Sequence, residues 1–223
     1  MTFYVHVVNI DTVVAVKQSY HHGDLRNALV AAAVQLIESG GVEEFSLRAV
    51  ARDVGVSPNA AYRHFDDKSA LLTAVAQYGF ERLASRMRRA MAASRGGDTQ
   101  PGAAIARFKA TGRAYVEFAL AHPELFDVMF GRNGAANLES SWAAEDPESP
   151  YGLLGGALDE LVNNGVLRKQ NRPGAELKAW ATVHGFACLY LDGAAHIPSA
   201  SAQSGALESL LDFAVTGICE RRN

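Results

Sequence analysis

The chain has 223 residues, 48% of them hydrophobic and 20% charged, a composition typical of a soluble globular protein with one large domain or two modest ones. Its only cysteines, Cys188 and Cys219, lack the spacing of a zinc finger, which excludes that class and fits free thiols in a reducing cytoplasm. The composition also excludes a membrane-spanning protein, because no stretch reaches the roughly 18 uninterrupted apolar residues that a span needs.

The net charge is −3, but the two parts of the chain differ in sign. Residues 1–95 hold 11 Lys and Arg against 9 Asp and Glu, whereas residues 96–223 hold 10 against 15. A basic N-terminal part in front of an acidic remainder would help to orient the protein toward a polyanion.

Residues 1–19 are predicted to form a flexible N-terminal extension, because Asn9 and Asp11 interrupt their apolar run. No basic n-region precedes this run and no small-residue cleavage site follows it, so a signal peptide is not expected. A disordered arm, a short extension and an upstream start-site artefact all remain open.

From residue 24 onward, apolar residues recur at spacings of three and four, which predicts an all-α fold. Helices are expected, in chain order, at residues 24–40, 46–54, 57–64, 67–94, 103–121, 123–130, 150–165, 174–194 and 205–221. The breaks between them include the glycine-rich segment 96–102, the polar segment 131–149 and a turn at 198–204. The predicted organisation is an extension (1–19), a three-helix head (20–68), a connecting helix (69–95) and a helical body (96–223).

One segment of the head carries the strongest functional signal. Ser46 can cap a helix, and four residues after the small Ala51, Gly55 can supply the left-handed conformation of a tight turn. Ser57 can cap the next helix, with Pro58 at its first position. This order is the pattern of a helix-turn-helix, and an ordinary helical hairpin is the alternative.

The helix after the turn favours the first interpretation. It has barely two turns and gains little stability by itself, so its polar and aromatic side chains indicate a partner surface. Asn59 can form two hydrogen bonds with an adenine edge, and Arg63 can pair with guanine or phosphate. Pro58 and Ala60 can contact thymine methyl groups. These residue types predict that the helix reads DNA in the major groove.

Three segments of the head resemble a known family. They are YHHGDLRNAL at residues 20–29, the helix ending at Glu38-Ser39-Gly40-Gly41, and the run from Ser46 to Lys68. Together they resemble the N-terminal domain of the tetracycline-repressor (TetR) family over about residues 20–80 without a gap. The resemblance implies a homodimer that places one recognition helix per subunit in successive major grooves of a palindromic operator.

The resemblance also implies roles for single residues. Tyr62 and His64 match the family's phosphate-contacting aromatic and imidazole side chains, and Lys68 matches its phosphate-binding lysine at a helix N-terminus. Ser46 and Arg48 lie where the second helix would meet the DNA backbone. The predicted DNA-binding residues are Ser46, Arg48, Ser57, Pro58, Asn59, Ala60, Tyr62, Arg63, His64 and Lys68.

An N-terminal arm is a further interpretation of the residues before the first helix. Lys17, His21 and His22 could follow the DNA backbone or the minor groove. The adjacent histidines also permit a metal site, but no third ligand lies nearby in the sequence.

Aromatic side chains are concentrated in the body, where most are expected to fill the core. A subset is interpreted as the lining of a cavity for a small, partly apolar effector, because such sites are often enclosed between helices. Phe108, Tyr115, Phe118 and Met129 recur on compatible helical faces. The predicted ligand-binding residues are Phe108, Tyr115, Phe118, Phe126, Met129, Phe130, Trp142, Trp180 and His184.

His122-Pro123 separates two helices of the body, because proline disfavours a helical conformation in the residue before it. Glu124 falls in the first turn of the second of these helices. By the resemblance, this helix adjoins the link to the DNA-binding head, so its movement could transmit the presence of a ligand.

The segment Trp180-x3-His184-Gly185 resembles the Trp-His-Gly signature of one C-terminal subgroup of the family. Small Gly185 and Ala187 would let two helices approach closely, and with the final helix they would form a four-helix dimer interface. The predicted dimerisation residues are Gly185, Cys188, Leu207, Leu210, Leu211, Ala214 and Ile218.

A metal site is the alternative interpretation of this region, which has candidate positions at intervals of four: Trp180, His184, Cys188, Asp192 and His196. Each step of four overshoots a helical turn by about 40°, so the two ends of the series would point nearly opposite ways. A pair formed by His184 and Cys188 remains open. No metal and no cofactor is predicted.

The sequence therefore predicts a DNA-binding transcription regulator, most simply a repressor that an effector releases, although the ligand could act with the opposite sign. A constitutive DNA-binding protein without an effector is one alternative. An enzyme with its site in the body is another, but no catalytic triad, paired carboxylates or metal constellation is visible, so no catalytic residue is assigned. The expected partners are double-stranded operator DNA, a small effector and a second copy of the chain bound through its last two helices, with no membrane.

Overall fold

The computed structural model describes residues 25–42, 45–94, 100–131, 146–195 and 199–219. The regular elements in these residues are helices, without a strand, which confirms the predicted all-α class. They are α1 (Leu25–Gly40), α2 (Leu47–Val54), α3 (Pro58–Tyr62), α4 (Lys68–Ala93), α5 (Gln100–Ala121), α6 (Pro123–Phe130), α7 (Pro150–Asn163), a short 3-10 helix (Lys169–Asn171), α8 (Ala175–Leu191) and α9 (Ala200–Cys219). The predictions for residues 1–19, Lys17, His21, His22, Trp142 and His196 lie outside the described residues.

Side-chain caps determine where several helices begin. The Asp67 carboxylate accepts a hydrogen bond from the Ala70 amide at 2.8 Å before α4, and the Ser149 hydroxyl accepts one from Gly152 at 3.0 Å before α7. Each cap satisfies an amide that has no partner within its own helix. Pro123 opens α6, where the missing amide hydrogen costs nothing.

The head consists of α1, α2 and α3 packed against the first half of α4. Its centre is fully buried and apolar, with Leu29, Ile37, Val50 and Leu71 inaccessible to solvent. These side chains belong to three different helices, so none of the short helices has to be stable alone.

The 26-residue helix α4 connects the head to the body and contributes to the core of both. It packs closely against α6 at Gly79, where a methyl group would lie 2.5 Å from the Sδ atom of Met129. A larger residue at this position would force the side chains of Met129 and Leu125 to shift. Movement of α6 is therefore coupled mechanically to α4, and through it to the head.

In the body, α5 is the central helix and contacts α4, α6, α7, α8 and α9. Ion pairs fasten α9 to α5, with Lys109 bound to Glu208 at 3.1 Å and to Asp212 at 2.8 Å. Arg113 binds the same Glu208 carboxylate at 2.5 Å. One face of α9 is thus held against its own chain.

The predicted turn at residues 198–204 is wrong for most of its length, because α9 begins at Ala200 and not at residue 205. The Ser199 hydroxyl accepts a hydrogen bond from the Ala202 amide at 3.2 Å, the geometry of an N-terminal cap. The small polar residues of this segment resemble a loop in composition but continue the helix. The predicted division into head, connecting helix and body stays a prediction.

None of the helices in the described ranges combines the length and the apolar character that crossing a membrane requires.

Candidate DNA-binding surface and effector site

The connection between α2 and α3 has the geometry of a tight helix-turn-helix. The hydroxyl groups of Ser46 and Ser57 each accept a hydrogen bond from the amide three residues later, at 3.2 Å. Gly55 ends α2 with φ of 78°, a left-handed conformation in which its amide returns to the helix. Ala51 and Ala61 are fully buried where the two helices meet, since larger side chains would hold them apart.

Most of the predicted DNA-binding residues lie on the surface of the head. The exposed members are Ser46, Arg48, Ser57, Pro58, Asn59, Tyr62, Arg63 and Lys68, while Ala60 and His64 are half-buried. Tyr62 is 44% exposed although it is a large aromatic residue. Because α3 buries Ala61 inward, its polar side chains are presented to solvent on a rigid support.

Lys68 has an intramolecular contact that the sequence did not reveal. Its ammonium group donates a hydrogen bond to the Val42 carbonyl at 2.9 Å and lies 5.5 Å from the centre of the Phe45 ring. This contact ties the start of α4 to the segment after α1. The ammonium carries three hydrogens, so the tie leaves donors for a phosphate.

Arg26 is a further cation of the head, and it was not among the predicted DNA-binding residues. Its guanidinium lies 5.1 Å from the centre of the Phe65 ring, and the residue is exposed on α1. The available signal was its position at the beginning of the first helix, next to the predicted arm.

A small apolar cavity of about 30 Å³ lies inside the body. It is lined by Met87, Phe108, Thr111, Gly112, Tyr115, Pro150, Leu154, Ala179, Trp180, Val183, Leu211 and Ala214. Three predicted ligand-binding residues are among them: Phe108, Tyr115 and Trp180. In this conformation the cavity has room for no more than one or two small groups, so a larger occupant would have to displace its walls.

A larger groove of about 280 Å³ runs between α6 and α8. Its lining consists of Pro123, Glu124, Phe126, Asp127, Phe130, Gly131, His184, Cys188, Leu191 and Asp192. It brings together three other predicted ligand-binding residues, Phe126, Phe130 and His184, with Cys188, which the sequence placed at the dimer interface. Phe118 and Met129 line neither of these two spaces, and both side chains are fully buried in the core.

Hydrogen bonds between side chains join the cavity to the groove. The Trp180 indole donates to the Tyr115 hydroxyl at 3.1 Å, and this hydroxyl in turn donates to His184 Nδ1 at 2.8 Å. In that arrangement the hydrogen of a neutral His184 is on Nε2, which faces Cys188 Sγ at 3.5 Å. This series of hydrogen bonds gives an otherwise aromatic region a defined set of hydrogen-bond donors and acceptors.

Burial favours the uncharged forms of Tyr115, His184 and Cys188 at neutral pH. It raises the pKa of the Tyr115 hydroxyl far above its usual value and lowers the pKa of the His184 imidazole. It also raises the pKa of the Cys188 thiol, and the negative charge of Asp192 adds to this effect. The thiolate form of Cys188, which is the nucleophilic form, is therefore disfavoured at neutral pH.

We expect His184 to make the protein less stable as the pH falls. Above its ordinary pKa of about 6.5 the imidazole is neutral in both states; below that value the unfolded chain takes up a proton that the folded chain resists, so stability is lost. Urea unfolding at pH 7.5, 6.5 and 5.5 should show a shallower decline for His184→Gln than for the unchanged protein. Equal slopes for the two proteins would contradict this assignment.

The predicted dimerisation set stays a prediction, and the structure shows how much of it the single chain already covers. Four of its members, Leu207, Leu211, Ala214 and Ile218, are buried inside the single chain, while Gly185 and Leu210 are half-buried. The exposed apolar residues of the last two helices are Leu177, Leu189 and Phe213, at 59%, 54% and 69% exposure. The stronger apolar stripe of α9 serves the core of its own chain, and a neighbouring stripe faces outward.

A polar contact joins the head to the body at the start of α6. His122 Nδ1 lies 2.7 Å from a carboxylate oxygen of Glu38 in α1, and the Arg82 guanidinium of α4 lies 3.4 Å from His122 Nε2. The His122 ring also packs at 5.1 Å from the ring of Phe118 in α5. One side chain therefore touches the head, the connecting helix and the body.

Two family models match the sequence. The first, described as bacterial regulatory proteins of the tetR family, matches residues 29–75, which contain α2, α3 and most of α1. The second, described as the tetracyclin repressor-like C-terminal domain, matches residues 108–214 in the body. No curated protein matches the chain.

Solved structures match over nearly the whole chain. A protein with unknown function from Rhodococcus sp. RHA1 is 33% identical, with a TM-score of 0.72 over 92% of this chain and 100% of the other. A TetR family transcription regulator from Marinobacter aquaeolei VT8 is 20% identical, with a TM-score of 0.54 over 89% and 97%. Mycobacterium smegmatis BioQ is 22% identical, with a TM-score of 0.56 over 90% and 98%. The last two similarities concern the fold.

Proposed function

The chain belongs to the TetR family of transcription regulators, and on that premise we propose that it is a repressor that binds a palindromic operator as a homodimer and leaves it when a small effector binds. The observation that carries the proposal is the capped turn between α2 and α3, with Asn59, Tyr62 and Arg63 exposed on the second helix. Such a regulator works in the cytoplasm, where the operator is accessible.

Selection from random DNA tests the central claim. The purified protein should retain a palindrome whose half-sites are separated by about one turn of DNA, roughly 34–36 Å, which is the spacing of successive major grooves. Retention that is independent of sequence, or of a single unpaired half-site, would contradict it. Competition with unrelated DNA at several salt concentrations separates specific binding from the general attraction of cations to phosphates.

The exposed apolar residues of α8 and α9 support dimerisation through these helices. On α8, Leu189 lies about one helical turn after Gly185, and Leu177 lies about two turns before it on a neighbouring face. A Cβ atom added at Gly185 or at Gly217 of α9 would meet no atom within 4 Å, so the chain itself does not cover these positions. Large apolar side chains beside bare glycines permit another helix pair to pack closely.

The effector is proposed to act through α6. One face of this helix lines the groove with Phe126 and Phe130, while an adjacent face packs against Gly79 of α4 through Met129. A ligand that binds preferentially to a shifted position of α6 would favour a state in which the two recognition helices no longer match the operator. A constitutive repressor is the second candidate function, and the small size of the interior cavity favours it. The open groove favours a repressor that an effector regulates.

Loss of the contact between Glu38 and His122 should change operator affinity through the orientation of the head. In a double-mutant cycle with Glu38→Ala and His122→Ala, we expect a coupling free energy of about 0.5–1.5 kcal/mol in unfolding, the range of one hydrogen bond, together with altered operator affinity. The control cycle uses Arg86 and Glu117, which bind at 2.8 Å between α4 and α5.

The control variants should lower stability without changing operator affinity, because their contact joins the second half of α4 to α5 and does not involve the head. Equal changes of operator affinity in both cycles would mean that stability alone is responsible. The contact at His122 would then have no special part in transmission.

A further inference from the structure

The groove between α6 and α8 differs from the rest of the body in its charge. Three carboxylates line it: Glu124 and Asp127 from α6, and Asp192 from the end of α8. Within the described ranges, which stop at Gly131 and resume at Asp146, the lining contains no Lys and no Arg. A concave space of about 280 Å³ with this composition presents a negative potential to any molecule that enters it.

Among the residues that the structure describes, no Lys or Arg forms an ion pair with the carboxylates of the groove, in contrast to other acidic residues of the body. Within residues 100–131, 146–195 and 199–219, seven carboxylates form ion pairs with Arg or Lys. In these ranges the acidic side chains without an ion pair are Glu124, Asp127, Asp146 and Asp192. Three of these four line the same groove.

Three of the seven other lining residues of the groove carry aromatic rings. The rings of Phe126 and Phe130 are 4.8 Å apart, and the His184 ring lies 5.6 Å and 5.3 Å from them. The faces of phenyl rings carry partial negative charge and attract cations, especially where water is partly excluded. The same rings also accept an apolar group by ordinary packing. The walls and the carboxylates therefore favour the same kind of occupant.

We propose that this groove binds a small organic cation, an amine or quaternary ammonium on an apolar body, as the effector of the regulator. The inference rests on the proposed function and specifies the chemistry of its ligand. The ammonium lies among the three carboxylates, and the apolar body lies against Phe126 and Phe130. An anionic ligand is disfavoured there, because no cation of the lining would compensate its charge.

The position of the groove connects such a ligand to the head. Glu124 and Asp127 belong to α6, and Glu124 lies in its first turn, two residues after His122. A cation held between the carboxylates of α6 and Asp192 of α8 favours a particular distance between these two helices, and α6 begins beside the contact between His122 and Glu38. The ligand therefore binds more tightly to the conformation with that distance, which is the requirement for a population shift.

The test compares three probes that differ only in their polar end: phenylbutylamine, phenylbutyrate and phenylbutanol. Calorimetric titration of the full-length dimer at neutral pH should show binding of the amine at least about tenfold tighter than that of the alcohol or the carboxylate. A higher salt concentration should weaken the binding of the amine and leave the binding of the alcohol unchanged. Asp127→Asn and Asp192→Asn should each weaken the amine about fivefold, the effect of one charge about 4 Å away in a watery site.

The matched control is Asp146→Asn, the same change at the unpaired carboxylate outside the groove, which should leave amine affinity unchanged. The proposal is overturned if phenylbutyrate binds as tightly as the amine, if the groove variants behave like the control, or if no probe binds at millimolar concentration. Operator binding is measured separately without any probe. Its loss contradicts the proposed function, whereas intact operator binding without selective amine binding contradicts only the ligand assignment.

Discussion

Asn59→Ala should weaken binding to the selected operator by about 1–3 kcal/mol at each half-site, roughly 5- to 150-fold, because an asparagine reads adenine through two hydrogen bonds. Asn59 is exposed at the second position of α3, in front of a helix start that Ser57 and Pro58 hold in place. Both subunits of a dimer carry the substitution, so its effects in the two half-sites combine. Fluorescence anisotropy with labelled operator measures the change.

The loss should be specific to sequence. Binding of Asn59→Ala to unrelated DNA should be nearly unchanged, whereas Lys68→Ala should weaken binding to both DNAs and reduce the salt dependence, as the loss of a phosphate contact does. Asn163→Ala is the matched control, since Asn163 is exposed at the end of α7 in the body. If Asn59→Ala bound the operator as tightly as this control, base reading by Asn59 would be excluded.

The turn between α2 and α3 could be predicted from the sequence because its determinants are local. The hydroxyl groups of Ser46 and Ser57 accept from amides three residues later, and the Gly55 amide donates to carbonyl groups three and four residues earlier, so the spacing specifies the partners. The exposure of Asn59 and Arg63 follows from the same geometry, because burial of Ala61 fixes the orientation of α3. Local rules were sufficient for this part of the protein.

The effector site could be predicted only in part, because it depends on how distant helices meet. Aromatic residues of the body were identified as candidates, but nothing in their spacing separates Phe118, which is fully buried, from Phe126, which lines the groove. The three carboxylates of the groove come from α6 and from the end of α8, about sixty residues apart in the chain. Their common feature, the lack of an ion pair, exists only in the folded protein.

The outward face of α9 illustrates a limit of a different kind. Both Leu211 and Phe213 are apolar, and the helical period alone does not say which stripe packs on α5 and which remains open. The ion pairs of Lys109 with Glu208 and Asp212 settle the rotation of α9 about its axis, because they hold those two acidic residues toward α5. Leu211 then turns inward and Phe213 outward.

Phe213→Asp should convert the dimer to a monomer and abolish tight operator binding. Burying a phenylalanine side chain contributes about 1.5–3 kcal/mol, and the symmetry of a two-fold interface doubles the loss. The new carboxylates would also have to lose their water in the interface without a partner. Because Phe213 is 69% exposed in the single chain, the change leaves the fold of each subunit intact.

Analytical ultracentrifugation measures the oligomeric state, and circular dichroism checks that the helices persist. The control is Gln35→Asp, which places the same carboxylate on the exposed side of α1 and should leave the protein dimeric. A dimeric Phe213→Asp protein with full operator affinity would mean that another surface joins the subunits. In a monomer each recognition helix binds its half-site alone. An effector could then no longer act by changing the distance between two recognition helices.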